Sequence, residues 1–204
     1  MTLALLLTAM VSFADSTQHY YATRDVQSLS ALCAQQRGEP VEWLCRYRLY
    51  PLTEDEAYLD DLPTDANAFD SPQTLALISG LWGYRAARGS IFTLPKYGRR
   101  STNFLERAKE HDPNDPFVLL VEGQSLLFRP GIVGGDKEEA LERFKTLQRV
   151  LPHCGDRGIS SLEADLWVWY TMKRMDHPSA PDLKQELLDR HPPPLYAAFI
   201  ADPP

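Results

Sequence analysis

Three cysteines and five histidines are the residues of this chain best suited to bond-making chemistry. Cys33 and Cys45 lie equally far from Glu39, within the turn-like run Arg37-Gly38-Glu39-Pro40. If Asp25–Gln36 and Val41–Tyr50 are antiparallel helices, the two sulfurs can meet in a disulfide, which would add on the order of 2–3 kcal/mol. Two buried thiols fit the same spacing. Cys154 is left over beside His153, the order of a nucleophile and its base, but adjacent side chains often point apart and an inter-helix turn explains the pair better. The histidines are scattered, and none pairs with another at metal-ligand spacing on one helix face. Gly134-Gly135 before a helix could cradle an anion, yet Asp136 at the cap position already uses those amide donors and repels anions. No Walker lysine, dinucleotide fingerprint or nucleophile elbow occurs. These residues predict no catalytic site, no metal and no cofactor.

Charge is the stronger signal. Glu54, Asp55, Glu56, Asp60, Asp61, Asp65 and Asp70 fall in one stretch, and no Lys or Arg occurs between Arg48 and Arg85. The sign then reverses through Arg85, Arg88, Lys96, Arg99, Arg100, Arg107 and Lys109. Stacked helices facing each other would explain this pattern, and so would a bipolar surface that orients a charged partner. An EF-hand is not supported, because the alternating oxygen ligands, central glycine and distal glutamate are missing.

The elements that position these charges are helical. Pro113, Pro152 and Pro192 recur at spacings of 39 and 40 residues, and each closes a block that reads as two antiparallel helices. The clearest block runs from Asn114 to Pro152. Asp115-Pro116 supplies an N-cap followed by proline at the first helical position. The helix that follows is apolar nearly all round. Its partner opens with Asp136 and Glu139, similar to a capping box, and carries the stripe Ala140, Phe144, Leu147 and Leu151. Two connections stand out inside the hairpins: Ser90–Arg100, before a helix expected to begin near Ser101, and Arg129–Gly135, before Asp136. Both place proline six residues ahead of the cap. In a stacked array they emerge on one edge, where Phe92, Leu94, Tyr97, Ile132 and Val133 would gather with Lys96, Arg99, Arg100 and Arg129. Such an edge suits an acidic peptide or another carboxylate-bearing ligand. Alternatively, these side chains fold inward and close the end of the helical layer.

The block resembles the tetratricopeptide repeat family through Gly123, Leu126, Ala140, Phe144 and Pro152. Leu147 stands where the family usually has alanine, and the unit carries about five extra residues between its helices. The preceding unit fits through Ser101, Leu105, Ala108 and Pro113, the following one loosely through Ala180, Leu187 and Pro192. The resemblance covers about residues 72–192. It implies an all-α fold of stacked antiparallel hairpins, an α-solenoid of about eight helices. It also implies recognition of a protein or peptide on a concave face bordered by the first helices, including Leu119 and Gln124.

Length and composition agree with one helical domain. A chain of 204 residues can bury roughly 70% of the surface it exposes when unfolded. Leu3–Val11 is an apolar run, too short for the roughly 20 residues of a membrane span. Ser12-Phe13-Ala14 follows with small residues at the places a signal peptidase reads, although no Lys or Arg precedes the run. Residues 1–14 are therefore expected to be a cleavable leader, 15–71 N-terminal helices packing on the array, 72–192 the array and 193–204 a proline-rich tail. Export to the periplasm or outside the cell follows; if the apolar run is no leader, the protein is cytoplasmic. A net charge of −7 disfavours nucleic acid. The expected role is a non-enzymatic binding or scaffold protein of the cell envelope, with a protein or peptide partner of acidic character. The alternative is a small-molecule-binding accessory of an envelope transport system, favoured if Trp167, Trp169 and Tyr170 line a cavity.

Overall fold

In the computed structural model, residues 12–35, 40–155 and 158–204 are described, apart from the side chain of Val133. Among them the fold is all-helical, with ten α-helices and no strand. Local chemistry sets most helix starts. Ser12 caps α1 (Phe13–Thr23) by accepting from the Asp15 amide, and Asp25 precedes α2 (Val26–Gln35), accepting from the Ser28 amide. Pro40 precedes α3 (Val41–Thr53). Ser71 and Pro72 open α4 (Pro72–Arg88). Asp115 and Pro116 open α6 (Pro116–Phe128), and Asp136 caps α7 (Lys137–Val150) through the Glu139 amide. Only the acceptor half of the expected capping box forms there, since the Glu139 carboxylate pairs with Arg143. Ser160 caps α8 (Ser161–Arg174), which pairs with α9 (Ala180–Asp189).

Three hairpins follow one another, α4 with α5 (Leu94–His111), α6 with α7 and α8 with α9, and α4 also packs on α6 and α7 on α8. Pro113 and Pro192 stand between helices, and Pro152 lies in the 3-10 turn that ends α7. One hydrophobic core runs from Ala22 to Ile200. At its centre a Cβ on Gly123 would lie 2.5 Å from the Phe144 ring. The absent side chain is what lets α6 and α7 approach, and Ala140 and Leu147 are fully buried on the same face of α7. Leu126 is half-buried and packs at the core margin.

Three expectations are corrected. The helix count is ten among the described residues, against about eight. Helix α5 spans Leu94–His111, so it starts two turns before Ser101. Pro95 sits in its first turn, where a missing N–H costs nothing, and opens the helix rather than marking a loop. The same physics makes 193–204 more than a tail: Pro193 and Pro194 open α10 (Pro194–Ala201), whose Tyr196 and Ile200 are buried. At the other end, Leu3–Val11 lies outside the described residues, and Ala14 sits in the first turn of α1.

Cys33 and Cys45 form a disulfide with a Cα–Cα separation of 5.9 Å, joining α2 to α3. Of the two arrangements their spacing allowed, the bridge is the one adopted. Cys154 follows the 3-10 turn Leu151–His153 and belongs to turn structure, with His153 beside it.

Candidate functional site

The inner face formed by the first helices is occupied by the chain itself. Tyr47 of α3 lies so close to Gly80 of α4 that a Cβ there would meet its ring at 2.6 Å. Its ring is edge-on to Phe117 of α6, and its hydroxyl donates to Gln124 Oε1 at 2.7 Å. The next residue, Arg48, is 1% exposed and makes a bidentate pair with Glu163 of α8 at 2.6 and 2.9 Å, while Nη2 also donates to the Gly158 carbonyl. Its guanidinium lies 4.3 Å from the ring centroid of Tyr21. Tyr196 donates to Glu163 Oε2 and accepts from Gln18. Burial alone would lower the pKa of Arg48, but Glu163 outweighs it and holds the guanidinium charged. Burial raises Tyr21, Tyr47, Tyr84 and Tyr196 above the usual phenol range, so this cluster is a neutral tyrosine shell around one ion pair.

Two expected partner-binding residues are thereby removed from the surface. Leu119 is 1% exposed, and half-buried Gln124 spends its side-chain oxygen on Tyr47. Little in the sequence marks this network. Arg48 is a single cation within the apolar run Tyr47–Tyr50, and its carboxylate stands 115 residues away.

The hairpin ends are different. Helix α5 is antiparallel to α4, with Ser79 bonded to Ser101 and Trp82 stacked on Tyr97. It is also antiparallel to α6, with Arg129 bonded to Thr102 and Lys109 paired with Glu122. Helices α4 and α6 are therefore parallel, and the α4–α5 and α6–α7 connections leave the bundle at the same end, as expected. There Ile91 is 81% exposed, Phe92 87% and Ile132 96%. Leu94 and Phe128 are also exposed at that end. The Val133 side chain, expected beside them, lies outside the described residues.

The cations divide into two groups. Tyr97 stacks on Trp82 beneath Arg85, and Arg100 lies over the same indole at 4.6 Å. Arg129 donates to Ser125 and Thr102. These three expected contact residues fold onto the bundle, because the helical start of α5 turns positions 97 and 100 inward. Lys96 and Arg99 stay exposed, and neither has an ion pair or side-chain hydrogen bond among the described residues. Most of the remaining cations are engaged: Arg88 with Glu54, Arg85 with the Leu59 carbonyl, Arg107 with Glu110, and Lys109 with Glu106 and Glu122. Among the described residues, Arg88–Glu54 is the ion pair that joins the acidic stretch to the basic one, and the other cations engage a backbone carbonyl or acids outside that stretch. A cleft of about 200 Å³ under the first hairpin end is lined by Glu56, Asp60, Arg85, Arg88 and Tyr97.

Other sequence candidates resolve as structure. Gly134 has a φ of 92° and a Cβ on Gly135 would clash with the Arg129 carbonyl, so the glycine pair is required by the turn. Trp167, Trp169 and Tyr170 enclose no shared ligand space, since Phe199 of α10 packs against all three rings at 5.0–6.4 Å. Among the described residues no cluster of His, Cys, Asp and Glu could hold a metal ion, and no helix is long and apolar enough to cross a membrane.

A comparison with known protein families, curated proteins and solved structures returned no match in any of the three.

Proposed function

We propose that this chain is a non-enzymatic recognition and scaffold protein, built as a tetratricopeptide-like helical array, that engages an acidic protein or peptide at its hairpin-end rim. The observation that carries this reading is the set Ile91, Phe92 and Ile132, large apolar side chains left in water at the end of the bundle where α5 begins, with two exposed cations, Lys96 and Arg99, in its first turns that pair with no described residue. Contiguous exposed apolar side chains rimmed by charge mark interaction surfaces in soluble proteins. With the inner face filled by α3, the hairpin ends carry most of the large exposed apolar side chains among the described residues. The apolar tips supply contact area, and the cations select for carboxylates and speed encounter. The disulfide is compatible with an exported protein, and this supports a partner in the cell envelope.

Charge reversal tests the proposal. Lys96→Glu with Arg99→Glu should leave the melting temperature unchanged, because neither side chain packs. It should abolish in-cell crosslinking to a stoichiometric protein partner. Arg100 is left intact, since its contact with Trp82 would confound binding with folding. A partner crosslinked equally by both proteins would remove the rim from the account.

A further inference from the structure

Helix α2 is attached to the rest of the protein by very little. Its single buried residue is Leu29, and among the described residues no side-chain hydrogen bond or ion pair ties it to another helix. Its one polar cap is local, from Asp25 to the Ser28 amide. A helix of ten residues is below the roughly 12–15 needed for marginal stability in isolation. What remains is a shallow contact with α1 and α3, half-buried at Val26 and Leu32, and the bond from Cys33 to Cys45. By contrast α3 is anchored through seven buried residues and the Arg48–Glu163 pair.

We infer that the Cys33–Cys45 disulfide is a redox latch: reduction by a dithiol releases α2 while α3 and the hairpins remain folded. Cys33 is half-buried and Cys45 is 5% exposed, so the Cys33 sulfur is the one a reductant reaches. One thiolate of the dithiol attacks Cys33 Sγ, and the Cys33–Cys45 bond breaks with its electron pair leaving on Cys45, which takes up a proton. The second thiol, deprotonated, attacks the mixed disulfide and displaces Cys33 as a thiolate, which is protonated in turn. The dithiol is oxidised by two electrons to its own disulfide, and the protein gains two thiols. Released α2 uncovers the surfaces of α1 and α3 against which it packs, so the two redox states present different faces to a partner.

Amide hydrogen exchange of the full chain before and after treatment with a small dithiol tests this. Mass-tagged alkylation verifies the change from one thiol to three. Amides of residues 26–35 should exchange about tenfold faster or more after reduction, with those of α3, α4 and α6 unchanged. Cys33→Ser should reproduce that pattern without reductant. Unchanged exchange in α2 would overturn the latch, and so would equal acceleration across α3, α4 and α6, which would make the bond a staple of the whole fold.

Discussion

Gly123 and Phe144 govern how closely α6 and α7 can lie, and the effect is large because the ring occupies the space a methyl would need. Gly123→Ala gains helix propensity but drives a Cβ to within 2.5 Å of the ring. The expected net loss is about 1–3 kcal/mol, read as a lower melting temperature, and an unchanged melt would contradict the packing. The Arg48–Glu163 pair belongs to the same scale. Glu163→Ala strands a buried guanidinium and should cost roughly 3–5 kcal/mol, whereas Arg48→Met combined with Glu163→Leu should recover most of it, because no uncompensated charge remains. Urea unfolding of the two variants separates these cases; equal losses would mean that the site depends on shape rather than on charge. Gly123 was legible in the sequence because the tetratricopeptide resemblance expects a small residue there. Arg48 was not, because a single charge in an apolar run carries no mark of its distant partner.

At the scale of elements, proline decided both the successes and the errors of the sequence reading. Asp115-Pro116 marked the start of α6 correctly. Pro95, Pro193 and Pro194 serve the same purpose at α5 and α10, but their surroundings resemble loop and tail. The consequence at α5 falls on the proposed rim. Its early start turns Tyr97 and Arg100 onto Trp82 and leaves Lys96 and Arg99 outward. The rim was therefore legible as a place, through Phe92, Leu94, Ile132 and Arg99, while the facing of each residue depended on a helix boundary. The charge reversal proposed for Lys96 and Arg99 follows from that boundary, since those two side chains can change sign without loss of a packing contact.

For the whole molecule, the decisive fact is where α3 lies. A repeat pattern specifies hairpins and their inner face but says nothing about what covers that face. Leu119 and Gln124 pointed to it as a binding surface, and Tyr47 and Arg48 bring the chain's own third helix there instead. Recognition at the hairpin ends is the central claim that follows. Amide hydrogen exchange of the chain, free and bound to the partner isolated by crosslinking, tests it most directly. The account predicts added protection confined to residues 89–99 and 129–136, with α3 and the first half of α6 unchanged. Altered protection across α3 and α6, with the hairpin ends unaffected, would contradict it and return the binding site to the inner face.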